Sequence, residues 1–340
     1  MTPVPSASAI AFPLPDPELA ARVSERMELV ETRLRASVAQ SDRLADTASR
    51  HLVNAGGKRL RPMLALLAAE LGDGAAPEVL EAAVGVELTH LATLYHDDVM
   101  DSAPVRRGAP AAHEVWGNSV AILVGDLLFA RASTTVAGLG PEAVLIQSRT
   151  FERLCLGQLH ETTGPDEGED PVAHYLQVLA DKTASLLATS ARLGAMFGGC
   201  PQDVVDTVAA YGEKLGVAFQ LADDVLDLAS TGAESGKTPG TDLREKVPTM
   251  PVLRLRARAT AGTASADDLA LLATLDGDLS DDAVLAGAVR SLREHAVLDE
   301  TRALAARWAQ DAVTELDGLP EGTVKASMVA FAEALAERAS

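Results

Sequence analysis

Residues 77–100 ("PEVLEAAVGVELTHLATLYHDDVM") carry apolar side chains at helical spacing and then seat Asp97, Asp98 and Asp101 within five residues. Residues 201–230 repeat the design and close on Asp223, Asp224 and Asp227. Carboxylates this near one another repel, and burial penalises each unless a cation joins them. Spacings of three and four residues are expected to put all three acids of a cluster on one helix face. The fold therefore has to bury two long helices along most of their length. It must also bring their acidic ends to a polar pocket where positive charge gathers.

Helical periodicity dominates the rest of the chain. One or two helices are expected over residues 17–53, and another starts at Pro62 and leaves at Gly72 and Gly74. Further helices are predicted over 117–138, 141–160, 171–198, 201–230 and 248–260, with Pro77–Met100 the long one bearing the first acidic cluster. Prolines and glycines make loops of "SAPVRRGAPAAH", of 161–170 and of 230–247. No alternating strand pattern or tandem repeat appears. Hydrophobic residues are 47% of the chain but aromatics only 3%, so the core is built from Ala, Leu and Val, a composition that favours helices. The expected fold class is all-α: a flexible tail over 1–16, then one helical domain over 17–340 with a looser C-terminal third.

The formal charge of −20 argues against general nucleic-acid binding, which needs a basic face. Two cysteines, Cys155 and Cys200, form no metal-binding spacing and suit a reducing cytoplasm. The proline-rich N-terminus has no basic residue and does not resemble a signal peptide. No run reaches the roughly 18 apolar residues of a membrane span, so a cytoplasmic protein without a transmembrane segment is expected.

Hard divalent cations take oxygen ligands, and magnesium combines one or two carboxylates with substrate phosphates. Two acidic faces opposed across a bundle would hold several such ions and a diphosphate. Cations cluster near the same helix ends: Lys58, Arg59 and Arg61 in "GGKRLRP", Arg106 and Arg107 in "RRG", Lys182 beside Thr183, and Lys237 and Lys246 in "GKTPGTDLREK". Guanidinium forks and ammonium groups suit phosphate oxygens. His90 and Gln220 each lie seven residues before an acid, Asp97 and Asp227, and so share its helix face.

Over residues 50–255 the ordered series "GGKRLRP", "THLATLYHDDVMDSAPVRRGAPAAH", "VGDLLFARA", "KTASLL", "FQLADDVLD" and "GKTPGTDL" resembles the trans-isoprenyl diphosphate (polyprenyl) synthases. The resemblance implies an all-α bundle around a deep central cavity and a homodimer. It implies magnesium, three ions per site, bound by Asp97, Asp101 and Asp223 with Asp98, Asp224 and Asp227 supporting. The isopentenyl diphosphate socket maps to Lys58, Arg61, His90 and Arg107, with Arg59 nearby, and the allylic diphosphate socket to Arg106, Lys182, Thr183, Gln220 and Lys237. The family's second lysine after "DLxxG" is displaced here. Lys246 stands at the usual glycine and Val247 at the usual lysine, so Lys246 is an off-register candidate.

The implied reaction is head-to-tail condensation of isopentenyl diphosphate with an allylic diphosphate. Thr93 and Ala92, four and five residues before Asp97, with Thr89 a turn deeper, mark the expected wall of the product tunnel. Short-chain members of the family carry an aromatic plug there. Its absence points to a long product, with a shorter farnesyl or geranylgeranyl product as the alternative. A terpene cyclase would carry a different second metal motif, and a non-catalytic subunit would lose acidic residues that this chain keeps.

Overall fold

The computed structural model describes residues 14–229 and 239–338. The order is α1 (Pro17–Ser37), α2 (Arg43–Asn54), α3 (Leu60–Ala69) and α4 (Pro77–Met100). A two-residue ladder follows, β1 (Val105–Arg106) with β2 (Ala109–Pro110), and then α5 (Ala112–Trp116), α6 (Asn118–Ala137) and α7 (Pro141–Thr163). Next come α8 (Pro171–Leu179), a π turn (Ala180–Ala184), α9 (Ser185–Phe197) and α10 (Gln202–Ala229). The remainder is α11 (Thr241–Arg244), α12 (Met250–Thr260), α13 (Ala266–Leu275), α14 (Asp282–Arg293), α15 (Ala296–Glu315) and α16 (Thr323–Arg338).

Local chemistry sets these boundaries. Pro17, Pro77, Pro141 and Pro171 open their helices, where the missing N–H costs nothing. Asp16, Asp42, Asp170 and Asp281 cap the free amides of α1, α2, α8 and α14. The long helix ends one residue before Asp101, as expected, and α3 begins at Leu60, two residues before Pro62.

α4 runs through the middle, packed against α3, α6 and α9, while α10 packs against α9, α15 and α16. With few aromatics, the helices approach closely through small residues. A Cβ on Gly194 of α9 would sit 2.0 Å from the Ala65 carbonyl oxygen of α3, and one on Gly85 of α4 would sit 2.7 Å from Val136 of α6. The two largest fully buried side chains, Tyr95 and Tyr211, each turn a hydroxyl to main-chain carbonyls, of Ala48 and Met328 respectively.

Three expectations need correcting. The residues from 264 onward are not loose. α15 is 20 residues long and packs on α10, and Tyr211 ties α10 to α16 through its 2.8 Å bond. The loop after α4 contains the β1–β2 hairpin, whose two central residues, Arg107 and Gly108, have φ of 54° and 77°. Positive φ at both is what a tight type I′ turn demands. Finally, α6 has the length and composition of a membrane span. It nevertheless carries Asp126 and Arg131 and packs along α4.

Gly194→Ala should therefore destabilise the fold by about 1–3 kcal/mol through overpacking. Gly287→Ala, in the interior of α14 with nothing within 4 Å of the new methyl, should stabilise by about 0.5–1 kcal/mol. Denaturant unfolding of the two variants measures the contrast.

Candidate active site

The ends of α4 and α10, the α3 entrance, the π turn and one side of α7 enclose a cavity of about 1480 Å³. Of the six aspartates, Asp97, Asp101, Asp223 and Asp227 line it. Asp98 and Asp224 do not, which corrects the expectation that each trio shares one face. Neighbouring residues on a helix are separated by about 100°, so the second acid of each pair turns away into the protein.

Both displaced acids anchor other parts of the site. Asp98 is fully buried and accepts the Arg106 guanidinium at 2.5 Å, while its other oxygen finds no partner among the described residues. Burial pushes its carboxyl up, with Arg106 opposing. Asp224 accepts the Tyr175 hydroxyl at 3.0 Å and the Met250 amide at 2.9 Å, clasping α10 to α8 and to the first residue of α12. Burial lifts its carboxyl to about 8, although both donors pull the other way.

The predicted cations converge. Lys58, Arg59, Arg61, Arg106, Arg107, Lys182, His90, Thr183 and Gln220 all line the cavity. A chain of net charge −20 thus keeps a concentrated positive patch beside its acidic rim. Lys58 lies 5.7 Å over the Phe219 ring, within range of a cation–π contact. Arg61 has a buried Nε without a hydrogen-bond partner among the described residues. Burial lowers its guanidinium to about 10, so it stays charged. Burial, then Arg61 and Arg107, holds His90 well below its usual range, leaving a neutral ring at pH 7.

Arg59 reaches the wall with its guanidinium committed elsewhere, to Glu31 at 2.6 Å and to buried Glu87 at 2.7 Å. Arg107 lies 3.9 Å from the same Glu87 and donates to the Leu52 and Gly56 carbonyls. Gly57 makes room for it: a Cβ there would come within 2.7 Å of the Arg107 guanidinium carbon. Lys182 pairs with Glu161. Glu87 and Glu161 were not among the sequence candidates. Glu87 had a readable signal, a lone acid inside an apolar helical run that needs a partner.

One predicted substrate contact falls elsewhere. Lys246 is exposed and does not line the cavity; its charge acts on Asp278 instead. Its left-handed backbone (φ 57°) follows from standing where a glycine was expected. Lys237 lies outside the described residues. Along α4 only Thr93 of the expected tunnel wall lines the cavity. Ala92 is fully buried in the core, and Thr89 is buried with its hydroxyl accepting from Gln147 at 3.3 Å. The apolar lining comes instead from Leu94, Phe151, Leu154, Leu186 and Phe219. Phe151 stacks on Phe129 with ring centroids 3.8 Å apart.

Among the described residues, no three His, Cys, Asp or Glu side chains converge closely enough to hold an ion alone. Four rim carboxylates spread over two helices suit a hard ion that completes its shell with phosphate oxygens and water. Burial raises Asp97 to about 6, with Lys182 pulling it down and Asp101 pushing it up.

Four rim carboxylates, a set of guanidinium and ammonium groups and an apolar lining thus share one cavity. The polyprenyl synthetase family model matches residues 42–279. A nonaprenyl diphosphate synthase of Mycobacterium tuberculosis is 42% identical over 97% of each chain. A polyprenyl synthase of Caulobacter crescentus, solved with calcium and isoprenyl diphosphate, superposes with a TM-score of 0.86 at 30% identity, over 99% of this chain and all of that one. A geranylgeranyl pyrophosphate synthase of Corynebacterium glutamicum, solved with the same ligands, gives 0.84 at 40% identity, over 96% of this chain and 99% of that one. The chain belongs to the polyprenyl synthetase family and is a prenyltransferase.

A carboxyl raised in the fold favours the protonated folded state, so the Asp97 contribution weakens the unliganded protein as pH rises through about 4 to 6. Bound metal reverses this by taking the proton's place. Magnesium with inorganic pyrophosphate should therefore raise Tm by about 2 °C more at pH 7.5 than at pH 5.5. Comparison with Asp97→Asn by thermal shift separates the Asp97 part of that difference from pyrophosphate's own titration.

Proposed function

We propose that the chain condenses isopentenyl diphosphate head to tail with an allylic diphosphate, releases pyrophosphate and makes a long trans-polyprenyl diphosphate. The observation that carries this reading is the meeting in one cavity of Asp97 and Asp101 at the end of α4, Asp223 and Asp227 on α10, and Arg61, whose buried Nε has no partner among the described residues.

Asp97, Asp101, Asp223 and Asp227 would hold magnesium, three ions per site, which when bound neutralises the leaving diphosphate and draws electron density from it. Lys182, Thr183, Gln220 and Arg106 bind that diphosphate on the same side. Their preset charges favour heterolysis of the allylic C–O bond without a protein nucleophile. Lys58, Arg61, Arg107 and neutral His90 hold isopentenyl diphosphate, so its double bond attacks the allylic carbon as the C–O pair departs. Loss of a proton to the leaving diphosphate restores the alkene. Asp98 and Asp224 support the reaction by fixing Arg106 and α12. Calcium and isoprenyl diphosphate in the Caulobacter and Corynebacterium structures support the metal and ligand assignments.

The lack of an aromatic side chain at the cavity-lining Thr93 and the likeness to the nonaprenyl synthase support a long product. The Corynebacterium likeness favours geranylgeranyl length as the second reading. The low cysteine count supports a cytoplasmic enzyme. Exposed Leu123, Leu145 and Leu156 on α6 and α7 support a homodimer through that face. Leu123→Lys should shift sedimentation mass to a monomer if this face pairs.

Labelled isopentenyl diphosphate, an allylic primer and magnesium test the reaction. Chain elongation is expected, and release of bare phosphate or a cyclised hydrocarbon would refute it. Thr93→Phe should shorten the product ladder seen by reversed-phase chromatography, whereas Ala92→Phe should chiefly cost stability, about 1–3 kcal/mol.

A further inference from the structure

The helix predicted over 171–198 is interrupted at Ala180–Ala184 by a π turn, and the two cavity residues Lys182 and Thr183 lie inside it. A π turn inserts an extra residue and turns side chains away from the helical register. It forfeits regular α-helical bonding, so something outside the helix must hold it.

Arg153 of α7 is placed to do so. Its Nε donates to Asp181 Oδ1 at 2.7 Å and its Nη2 to the Ala180 carbonyl at 3.3 Å. Nη1 donates to Glu213 of α10 at 3.1 Å. One planar guanidinium thus joins the π turn to both flanking helices, which a single point charge cannot do. Gln177 takes the second Asp181 oxygen at 2.8 Å, and the Ser185 hydroxyl donates to the Asp181 carbonyl at 2.6 Å. Arg153 itself does not line the cavity.

The glycines around the turn fit the same role. A Cβ on Gly157, one helical turn after Arg153, would sit 2.7 Å from the Lys182 amide nitrogen, and one on Gly216 of α10 would sit 2.4 Å from Ala184 Cα. The turn is therefore pressed between two helices that have given up side chains at the points of contact. Sideways movement is blocked by main chain, and rotation is resisted by the Arg153 fork.

We infer that Arg153 is a positioning residue: by clamping Asp181 and the Ala180 carbonyl it sets the π turn that aims Lys182 and Thr183 at the allylic diphosphate. This rests on assigning Lys182 to that diphosphate. A clamp that acts only through the turn should affect one substrate and leave the isopentenyl diphosphate socket alone, because Lys58, Arg61 and His90 stand on α3, its approach and α4.

Steady-state kinetics with the purified full-length chain test this, varying each substrate in turn. Arg153→Met should lower kcat/KM for the allylic diphosphate by about 100-fold, the scale of a small misplacement, with KM for isopentenyl diphosphate within about twofold of the parent. The double variant with Lys182→Met should lose clearly less than the product of the two single losses, since the two changes share one interaction. Gly157→Ala keeps every charge while pushing on the Lys182 main chain, and should reproduce the selective loss. It carries the test if Arg153→Met does not fold.

Additive losses in the double variant, or equal losses for both substrates, overturn the inference. So do unchanged kinetics in the Arg153 and Gly157 variants when Lys182→Met is impaired. An unchanged allylic kcat/KM in Lys182→Met overturns the Lys182 assignment and the inference with it.

Discussion

Charge pairing in and behind the cavity wall holds the site in shape. Ionised groups in a poorly solvated wall are costly unless each is met by a partner. Here Glu87 holds Arg59, Asp98 holds Arg106, and Asp181 with Glu213 holds Arg153. Asp224 makes the equivalent attachment with neutral donors, a tyrosine hydroxyl and a helix-end amide. The groups left facing the cavity then have fixed directions before any substrate arrives. Arg61 is left toward the cavity with a buried guanidinium nitrogen that has no partner among the described residues.

This arrangement divides each aspartate-rich cluster into two jobs. The first and last acids look into the cavity, and the middle one looks back into the protein. Spacing by four keeps two carboxylates on one face, and the intervening neighbour is obliged to face another way. One short motif therefore supplies both the rim of the site and the attachment that steadies what surrounds it. At the first cluster that attachment is to the basic hairpin, at the second to α8 and α12.

Much of this was legible in the residues. The span Pro77–Met100 is bounded by a helix-opening proline and by a polar, proline-containing exit, so its limits could be read directly. Lys58 and Arg59 sit in one glycine-bearing turn, and Arg106 and Arg107 in another just after the first acids, and both patterns are local. What escaped was long-range. Nothing near Asp98 announces Arg106 as its partner, because the hairpin fold creates that contact. The π turn leaves no mark in periodicity, since a single inserted residue in an otherwise helical run looks like helix. Ala92 and Thr93 differ only in which side of α4 they occupy, and neighbours on α3 and α6 decide that. Lys246 was drawn in by a family position that this sequence had shifted.

The hairpin after α4 has one more consequence. Its turn holds Arg107 and Gly108 in left-handed backbone, and Gly57 stands bare opposite the Arg107 guanidinium. A non-glycine residue held in that region has little freedom left to lose. The ordering of two of the site's guanidiniums is thus completed while the polypeptide folds, and an incoming anion meets them without having to arrange them. Position 57 can accept no larger side chain without displacing the very guanidinium it was cleared to admit.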